Sequence, residues 1–190
     1  HGGGAMMGTL TLVVGPSGAG KDTLMAGARA LLAGQWEFAF PPREITRPAE
    51  SGGEDHVPVT EAQFRDRCLH DRYALWWRAH GLWYGVPRAI DGALAQGRTV
   101  VVNASRAAID EARDTYRDLR IVHVTAPPRV LARRLAARGR EAEDQIAARL
   151  ARAEAYAVSG PDVAILSNDG SIEQALGQFV RLLRASRAAA

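Results

Sequence analysis

Short apolar runs rich in β-branched residues alternate along this chain with segments whose apolar positions repeat at helical spacing. The apolar runs predict strands at residues 9–14, 36–40, 73–80, 98–103, 121–125 and 163–166. The periodic segments predict helices at residues 24–33, 60–69, 86–96, 107–116, 128–137, about 142–158 and 171–186. Residues 81–84 are predicted as a turn, and residues 43–58 as an irregular loop rich in Gly, Pro and charge.

Alternating strands and helices predict an α/β fold with a doubly wound, mostly parallel sheet. We expect a single domain over residues 8–187, with a substrate-binding insertion at about 41–85 and a mobile lid at about 133–152. Residues 1–7 are interpreted as a vector remnant and the start of the chain. Ligands of such sheets bind at the carboxyl ends of the strands, where Gly15, Asn103 and Thr125 are expected.

The segment after the first predicted strand has the composition of a phosphate-binding loop. It predicts a nucleotide site formed by Gly15, Pro16, Ser17, Gly18, Ala19, Gly20, Lys21, Asp22 and Thr23. Lys21 is the only lysine of the chain and is the predicted catalytic cation. The usual Ser or Thr after the lysine is replaced by Asp22, which either binds Mg²⁺ or only favours the helix N-terminus.

Composition narrows the classes of function. The formal net charge of +3 is mild and the arginines are spread along the chain, which argues against nucleic acid and favours small anionic substrates. No apolar run is long enough to cross a membrane. The single cysteine, Cys68, excludes an internal disulfide, fits a reducing cytoplasm and is expected to be a packing residue.

Several polar residues outside the phosphate loop suggest an acceptor site. Arg43 and Arg47 suit a second phosphate, because a guanidinium fork matches pairs of phosphate oxygens. Tyr84 is a candidate phosphate donor, and His80 is equally consistent with a structural or a functional role. The other candidates for substrate binding or sugar recognition are Glu54, Asp55, His56, Arg78, Asn103, Ser105 and Arg106. Glu54, Asp55 and His56 could bind ribose hydroxyls, or the two carboxylates could bind a metal.

Two further groups are expected to contact the nucleotide. Arg138 and Arg149 are predicted to close over the transferring phosphoryl group with the lid. Asn168, in the Asn-Asp-Gly turn after the last predicted strand, either borders the adenine of ATP or belongs to a plain turn.

Taken together, G-P-S-G-A-G-K at residues 15–21, T-R at 46–47, H-G-L-W-Y-G at 80–85, R-G at 138–139, R-L at 149–150 and N-D at 168–169 resemble the guanylate kinase group of phosphate-loop kinases. The resemblance implies the cofactors ATP and Mg²⁺. It departs where that group reads guanine, since Leu75 and Val86-Pro87 stand at those positions.

The lysine followed by Asp-Thr, the G-G-E-D-H loop and V-V-N-A-S-R resemble the ribose 1,5-bisphosphate phosphokinases of bacterial phosphonate breakdown. That resemblance implies phosphorylation of the 1-phosphate of ribose 1,5-bisphosphate to 5-phosphoribosyl 1-diphosphate, with Arg47 and Tyr84 on the 1-phosphate. The alternatives are a guanylate or other nucleoside monophosphate kinase and a non-catalytic binding module.

Overall fold

The structure is a computed structural model that describes residues 7–16, 18–51, 55–137, 139, 145–146, 148–150 and 158–188. The strands within these ranges are β1 (Leu10–Val14), β2 (Phe38–Ala39), β3 (Glu44–Ile45), β4 (Val57–Pro58), β5 (Tyr73–Ala79), β6 (Leu82–Pro87), β7 (Thr99–Asn103), β8 (Leu119–Thr125) and β9 (Val163–Ser167). The helices are α1 (Lys21–Leu31), α2 (Glu61–Leu69), α3 (Ile90–Ala95), α4 (Ile109–Thr115), α5 (Pro128–Ala137) and α6 (Ile172–Ala188).

Five parallel strands form the central sheet in the order β2-β7-β1-β8-β9. Leu10 and Leu12 of β1 pack on one face with residues of α3 and α4. Val13 packs on the other face with residues of α1 and α6. This arrangement confirms the predicted doubly wound α/β fold, and it brings the carboxyl ends of β1, β7 and β8 to one edge.

A second, four-stranded sheet in the order β4-β3-β6-β5 was not predicted. Its hairpin connects β5 and β6 through His80 and Gly81, whose φ angles are 52° and 74°. The predicted turn at residues 81–84 and the predicted helix start at residue 86 are therefore wrong, because β6 runs through both. Helix α3 begins only at Ile90. The irregular loop predicted at residues 43–58 also contains β3 and β4.

Helix α2 begins as its sequence predicts. The Thr60 side chain accepts a hydrogen bond from the backbone N–H of Gln63, and the Gln63 side chain accepts one from the N–H of Thr60. Cys68 is half-buried against a small cluster around Phe64, which confirms that it packs. Among the described helices, none combines the length and apolar character that crossing a membrane needs. Part of the predicted lid, and most of the helix predicted at residues 142–158, lie outside the described residues.

Candidate active site

The phosphate loop connects β1 to α1 at the carboxyl edge of the parallel sheet. Gly20 is the N-cap of α1 with a φ of 85°, in the left-handed region that favours glycine. A Cβ added there would lie 2.4 Å from Nδ2 of Asn168, so the contact also excludes a side chain. Because α1 begins at Lys21, its unpaired N–H groups and positive end adjoin the loop, as an anion site requires. Ser17 lies outside the described residues.

Two side chains hold the backbone of this loop from the far side. Nη1 of Arg134 donates to the carbonyl oxygen of Gly18 at 3.0 Å, and Nη2 donates to that of Asn168 at 2.9 Å. Nδ2 of buried Asn168 donates to the carbonyl oxygen of Ala19 at 2.8 Å. We call Arg134 and Asn168 the loop anchor. They fix two carbonyls of the loop and so define the direction of its N–H groups.

Lys21 stands at the start of α1 among cations. Its Nζ lies 3.4 Å from the carbonyl oxygen of Ala104, which it faces as a donor. The pKa of Lys21 is lowered to about 8, mainly by burial and also by Arg43 and Arg106, while Asp22 acts in the opposite direction. The carboxylate of Asp22 thus offsets only part of the cost of burying the ammonium beside two guanidinium groups, and a bound phosphate would offset more of it.

Asp22 extends from the first turn of α1 toward the end of β7. Its Oδ1 accepts a hydrogen bond from Nδ2 of Asn103 at 3.0 Å, and its side chain is exposed on a cleft that Thr23 also lines. Within the described residues no group of three His, Cys, Asp or Glu side chains could hold a metal ion. A single carboxylate beside a phosphate site nevertheless fits Mg²⁺, which binds through one or two carboxylates together with substrate phosphates and water.

A cation-rich wall faces Lys21 from the second sheet. The rings of Trp77 and Tyr84 stack with centroids 5.6 Å apart, and the guanidinium of Arg43 lies 4.9 Å from the centroid of Tyr84. Burial lowers the pKa of Arg43 to about 10; Arg47 acts in the same direction, and Tyr84 and Asp22 oppose it. Arg43 and Arg47 therefore lie close enough to repel each other, and a phosphate between them would relieve that repulsion.

The other acceptor candidates are distributed unevenly around this wall. Nε2 of His56 donates to the carbonyl oxygen of Arg47 at 2.9 Å, which fixes the backbone beside that guanidinium. Asp55 lines the cleft next to Asp22 and Asn103. Arg106 is half-buried and close enough to Lys21 to lower its pKa.

Three of the residues predicted for the acceptor site, Arg78, His80 and Ser105, lie at the β5–β6 hairpin or cap a short helix. Arg78 is exposed on the opposite face of the hairpin from Tyr84, with its guanidinium 5.4 Å from the ring centroid of Trp83. His80 is exposed at the hairpin turn. The Oγ of Ser105 accepts a hydrogen bond from the N–H of Ala107 at 3.3 Å and so caps a short 3₁₀ helix. The structure does not bring Arg78 and His80 into the cation-rich wall.

The described residues do not cover the whole predicted site. Glu54 and Arg138 lie outside them, and Arg149 belongs to the short described helical stretch at residues 148–150, where it is half-buried. The loop anchor is a part of the site that the sequence did not predict in this role. Asn168 was predicted either to border adenine or to belong to a plain turn, and the adenine contact stays a prediction; its amide holds the loop backbone.

The positions that the family resemblance matches to the guanine-reading residues are apolar and buried. Leu75 is fully buried and Val86 is 1% exposed, and both pack in the core beneath the second sheet. Neither side chain has a hydrogen-bonding group, so neither discriminates a base through polar contacts. The site thus combines an anion cradle with an opposing cation-rich wall, which is the arrangement of a phosphate-loop kinase.

Comparisons with known proteins agree with that class. The guanylate kinase family model matches residues 7–186. The chain is 48% identical over 180 residues to ribose 1,5-bisphosphate phosphokinase PhnN of Methylobacterium radiotolerans, an alignment that covers 95% of this chain and 99% of that one. It is 44% identical over 182 residues to the enzyme of the same name from Rhizobium etli, covering 96% and 92% of the two chains. The chain belongs to the guanylate kinase family, in the branch of the ribose 1,5-bisphosphate phosphokinases.

A solved structure supports the fold independently. The crystal structure of guanylate kinase from Anaplasma phagocytophilum superimposes with a TM-score of 0.69 at 19% sequence identity, covering 96% of this chain and 87% of that one. At this identity the likeness describes the fold alone, and it matches the parallel sheet and helices described above.

Proposed function

We propose that the chain transfers the γ-phosphoryl group of ATP to the 1-phosphate of α-D-ribose 1,5-bisphosphate. The products are 5-phospho-α-D-ribose 1-diphosphate and ADP, and the reaction would serve phosphonate breakdown in the cytoplasm. The observation that carries the proposal is the cation-rich wall opposite Lys21 combined with apolar, buried side chains at Leu75 and Val86. Such a site favours an acceptor with phosphates and without a base.

The chemistry requires orientation and charge neutralisation. An oxygen of the 1-phosphate, held by Arg47 and Tyr84, attacks the γ-phosphorus in line, and the bond from that phosphorus to the β,γ-bridging oxygen breaks as ADP leaves. No general base is needed, because the attacking phosphate is already ionised near neutral pH. Lys21 supports the charge on the transferring group, and Arg138 and Arg149 are proposed to add theirs when the lid closes.

Recognition of the sugar is assigned to the polar residues beside the wall. Glu54, Asp55 and His56 on one side and Asn103 and Ser105 on the other are proposed to bind hydroxyl groups. Mg²⁺, when bound, would neutralise the nucleotide phosphates, and Asp22 or Thr23 is proposed to hold it with water. Asn103 orients the carboxylate of Asp22 through their hydrogen bond.

A coupled assay of ADP release tests the proposal with ribose 1,5-bisphosphate and GMP as competing acceptors. We expect turnover with the sugar bisphosphate, a product with the mass of the diphosphate, and little turnover with GMP. Lys21→Met is the control that should abolish transfer to either acceptor. Efficient turnover of GMP alone would support a nucleoside monophosphate kinase instead.

A further inference from the structure

An open cleft of about 870 Å³ runs along α1 away from the phosphate loop. We call it the α1 groove. One wall is α1 together with Ala33 just after it, and the other is the segment from Phe40 to Arg43. Its volume is in the range of small-molecule sites.

The groove opens on the acceptor side of the site. Asp22, Arg43 and Asn103 line it, and all three belong to or adjoin the cation-rich wall. Of the described residues of the predicted nucleotide site, Asp22 and Thr23 line the groove at its edge, whereas residues 15, 16 and 18–21 do not. A molecule whose reacting phosphate lies at the wall can therefore extend into the groove without entering the nucleotide cradle.

The charges along the groove distinguish its two ends. Four charged side chains line it, and the carboxylates of Asp22 and Asp55 repel phosphate. Of the two arginines, Arg43 lies at the reacting end, beside Tyr84 and close enough to Lys21 to lower its pKa. Arg29 is the cation of the far end.

The spacing of Arg29 suits a second phosphate on the same molecule. It follows Asp22 by seven residues on α1, which is roughly 10 Å along the helix axis. Long side chains on helices tend to lean toward the N-terminus, which favours a guanidinium at this position directed toward Asp22. The side chain is exposed, and no hydrogen bond or ion pair of the described residues engages it.

We infer that Arg29 binds the 5-phosphate of the acceptor in the α1 groove and so determines the preference for a sugar carrying two phosphates. This inference rests on the proposed function. The sugar then lies along the groove between Arg29 and the wall, and the two phosphates have separate cations. Arg29 is a specificity residue that is remote from the transferred group.

Two inhibitors that each carry one of the two phosphates test the inference. The inhibition constants of ribose 5-phosphate and ribose 1-phosphate are measured against ribose 1,5-bisphosphate. In Arg29→Ala we expect inhibition by ribose 5-phosphate to weaken about ten- to hundredfold, the value of a charge-assisted hydrogen bond. Inhibition by ribose 1-phosphate should stay unchanged. Arg47→Ala should show the reverse pattern.

Matched variants separate this effect from a general loss of charge or fold. Arg65→Ala removes an exposed arginine from α2 and should leave both inhibition constants unchanged. Arg29→Lys keeps the charge and should recover part of the lost affinity. Affinity for ATP and the melting temperature should match the parent in Arg29→Ala, Arg29→Lys and Arg65→Ala. Among these three, kcat/KM for ribose 1,5-bisphosphate should fall only in the two Arg29 variants.

The outcomes distinguish this inference from the function on which it rests. Equal loss of both inhibitors in Arg29→Ala, or loss of neither, would overturn the role of Arg29 while transfer to ribose 1,5-bisphosphate by the parent upholds the proposed function. Absence of transfer by the parent would overturn both.

Discussion

Nucleotide binding should be coupled to proton uptake by the side chain of Lys21. In the free protein, burial lowers the pKa of this ammonium to about 8, with Arg43 and Arg106 adding to the effect. Phosphate oxygens next to Nζ favour the charged form, so binding raises the pKa back toward and beyond its ordinary value. Between these two pKa values the complex holds a proton that the free protein has lost.

The number of protons taken up follows from the pKa of Lys21 in the free protein. At pH 8 half of the free molecules carry the proton on Lys21, so binding takes up about half a proton per nucleotide. At pH 9 the uptake rises to about 0.9, and at pH 7 it falls below about 0.1. The affinity for ATP therefore depends on pH as well. Above pH 8 it weakens, by up to tenfold per pH unit as long as the pKa of Lys21 in the complex stays above the solution pH.

Isothermal titration calorimetry in buffers of different ionisation enthalpy measures this uptake directly. We would titrate ATP at pH 7, 8 and 9, where the phosphates of ATP are already largely ionised. Lys21→Arg is the control, because a guanidinium keeps its proton throughout this range. An uptake that does not increase from pH 7 to pH 9, or that persists unchanged in Lys21→Arg, would refute the argument.

Three further substitutions, one of them with a matched control, test the loop anchor and the packing. Arg134→Ala should raise the KM for ATP about tenfold or more, whereas exposed Arg133→Ala on the same helix should not; equal effects would contradict the anchor. Thr11→Val should raise the melting temperature by about 2–4 °C, because the buried hydroxyl makes no hydrogen bond within the described residues; a lower value would contradict this. Gly85→Ala should lower the melting temperature and cost about 1–3 kcal/mol of unfolding free energy, since the new Cβ would lie 2.5 Å from the Tyr73 ring. An unchanged melting curve would contradict this.

The parallel sheet could be predicted because its signals are local. The apolar runs that became β7 and β8 are bounded by polar residues and are too short for helices. The second sheet was missed because glycine and proline indicated breaks. Gly85 is instead a strand residue that makes room for a ring from β5, and Pro87 is the last residue of β6. Such a role depends on the partner strand, which the local sequence does not specify.

At the site, too, local features could be predicted from the sequence and contacts between distant residues could not. The phosphate loop is contiguous, so spacing alone predicts it, whereas the contact of Arg134 with Gly18 joins residues 116 positions apart. The side on which Arg78 lies could also have been predicted. Alternation along β5 and β6 places Arg78 on the face opposite the one that carries Tyr84, and this period of two follows once residues 73–80 are predicted as a strand.

The environment of Lys21 should also make the free protein less stable than a variant without the charge. The unfolded pKa of 10.5 falls to about 8 on folding, so burial of the ammonium opposes folding by roughly 3 kcal/mol at neutral pH. The unfolded chain binds the extra proton between pH 8 and pH 10.5, and the penalty therefore disappears as pH rises through that window.

Lys21→Met keeps an unbranched chain of similar length, so it removes the charge without opening a large cavity. We expect it to melt above the parent at pH 7 without nucleotide, with a difference that narrows toward pH 10. Adding ATP should raise the melting temperature of the parent much more than that of the variant. A variant that melts below the parent without nucleotide would show that other contacts compensate the charge. If ATP instead stabilises the parent much more than the variant, the buried charge of Lys21 is unfavourable in the free protein and becomes favourable when the nucleotide binds. Such a trade of stability for binding is expected of a functional site.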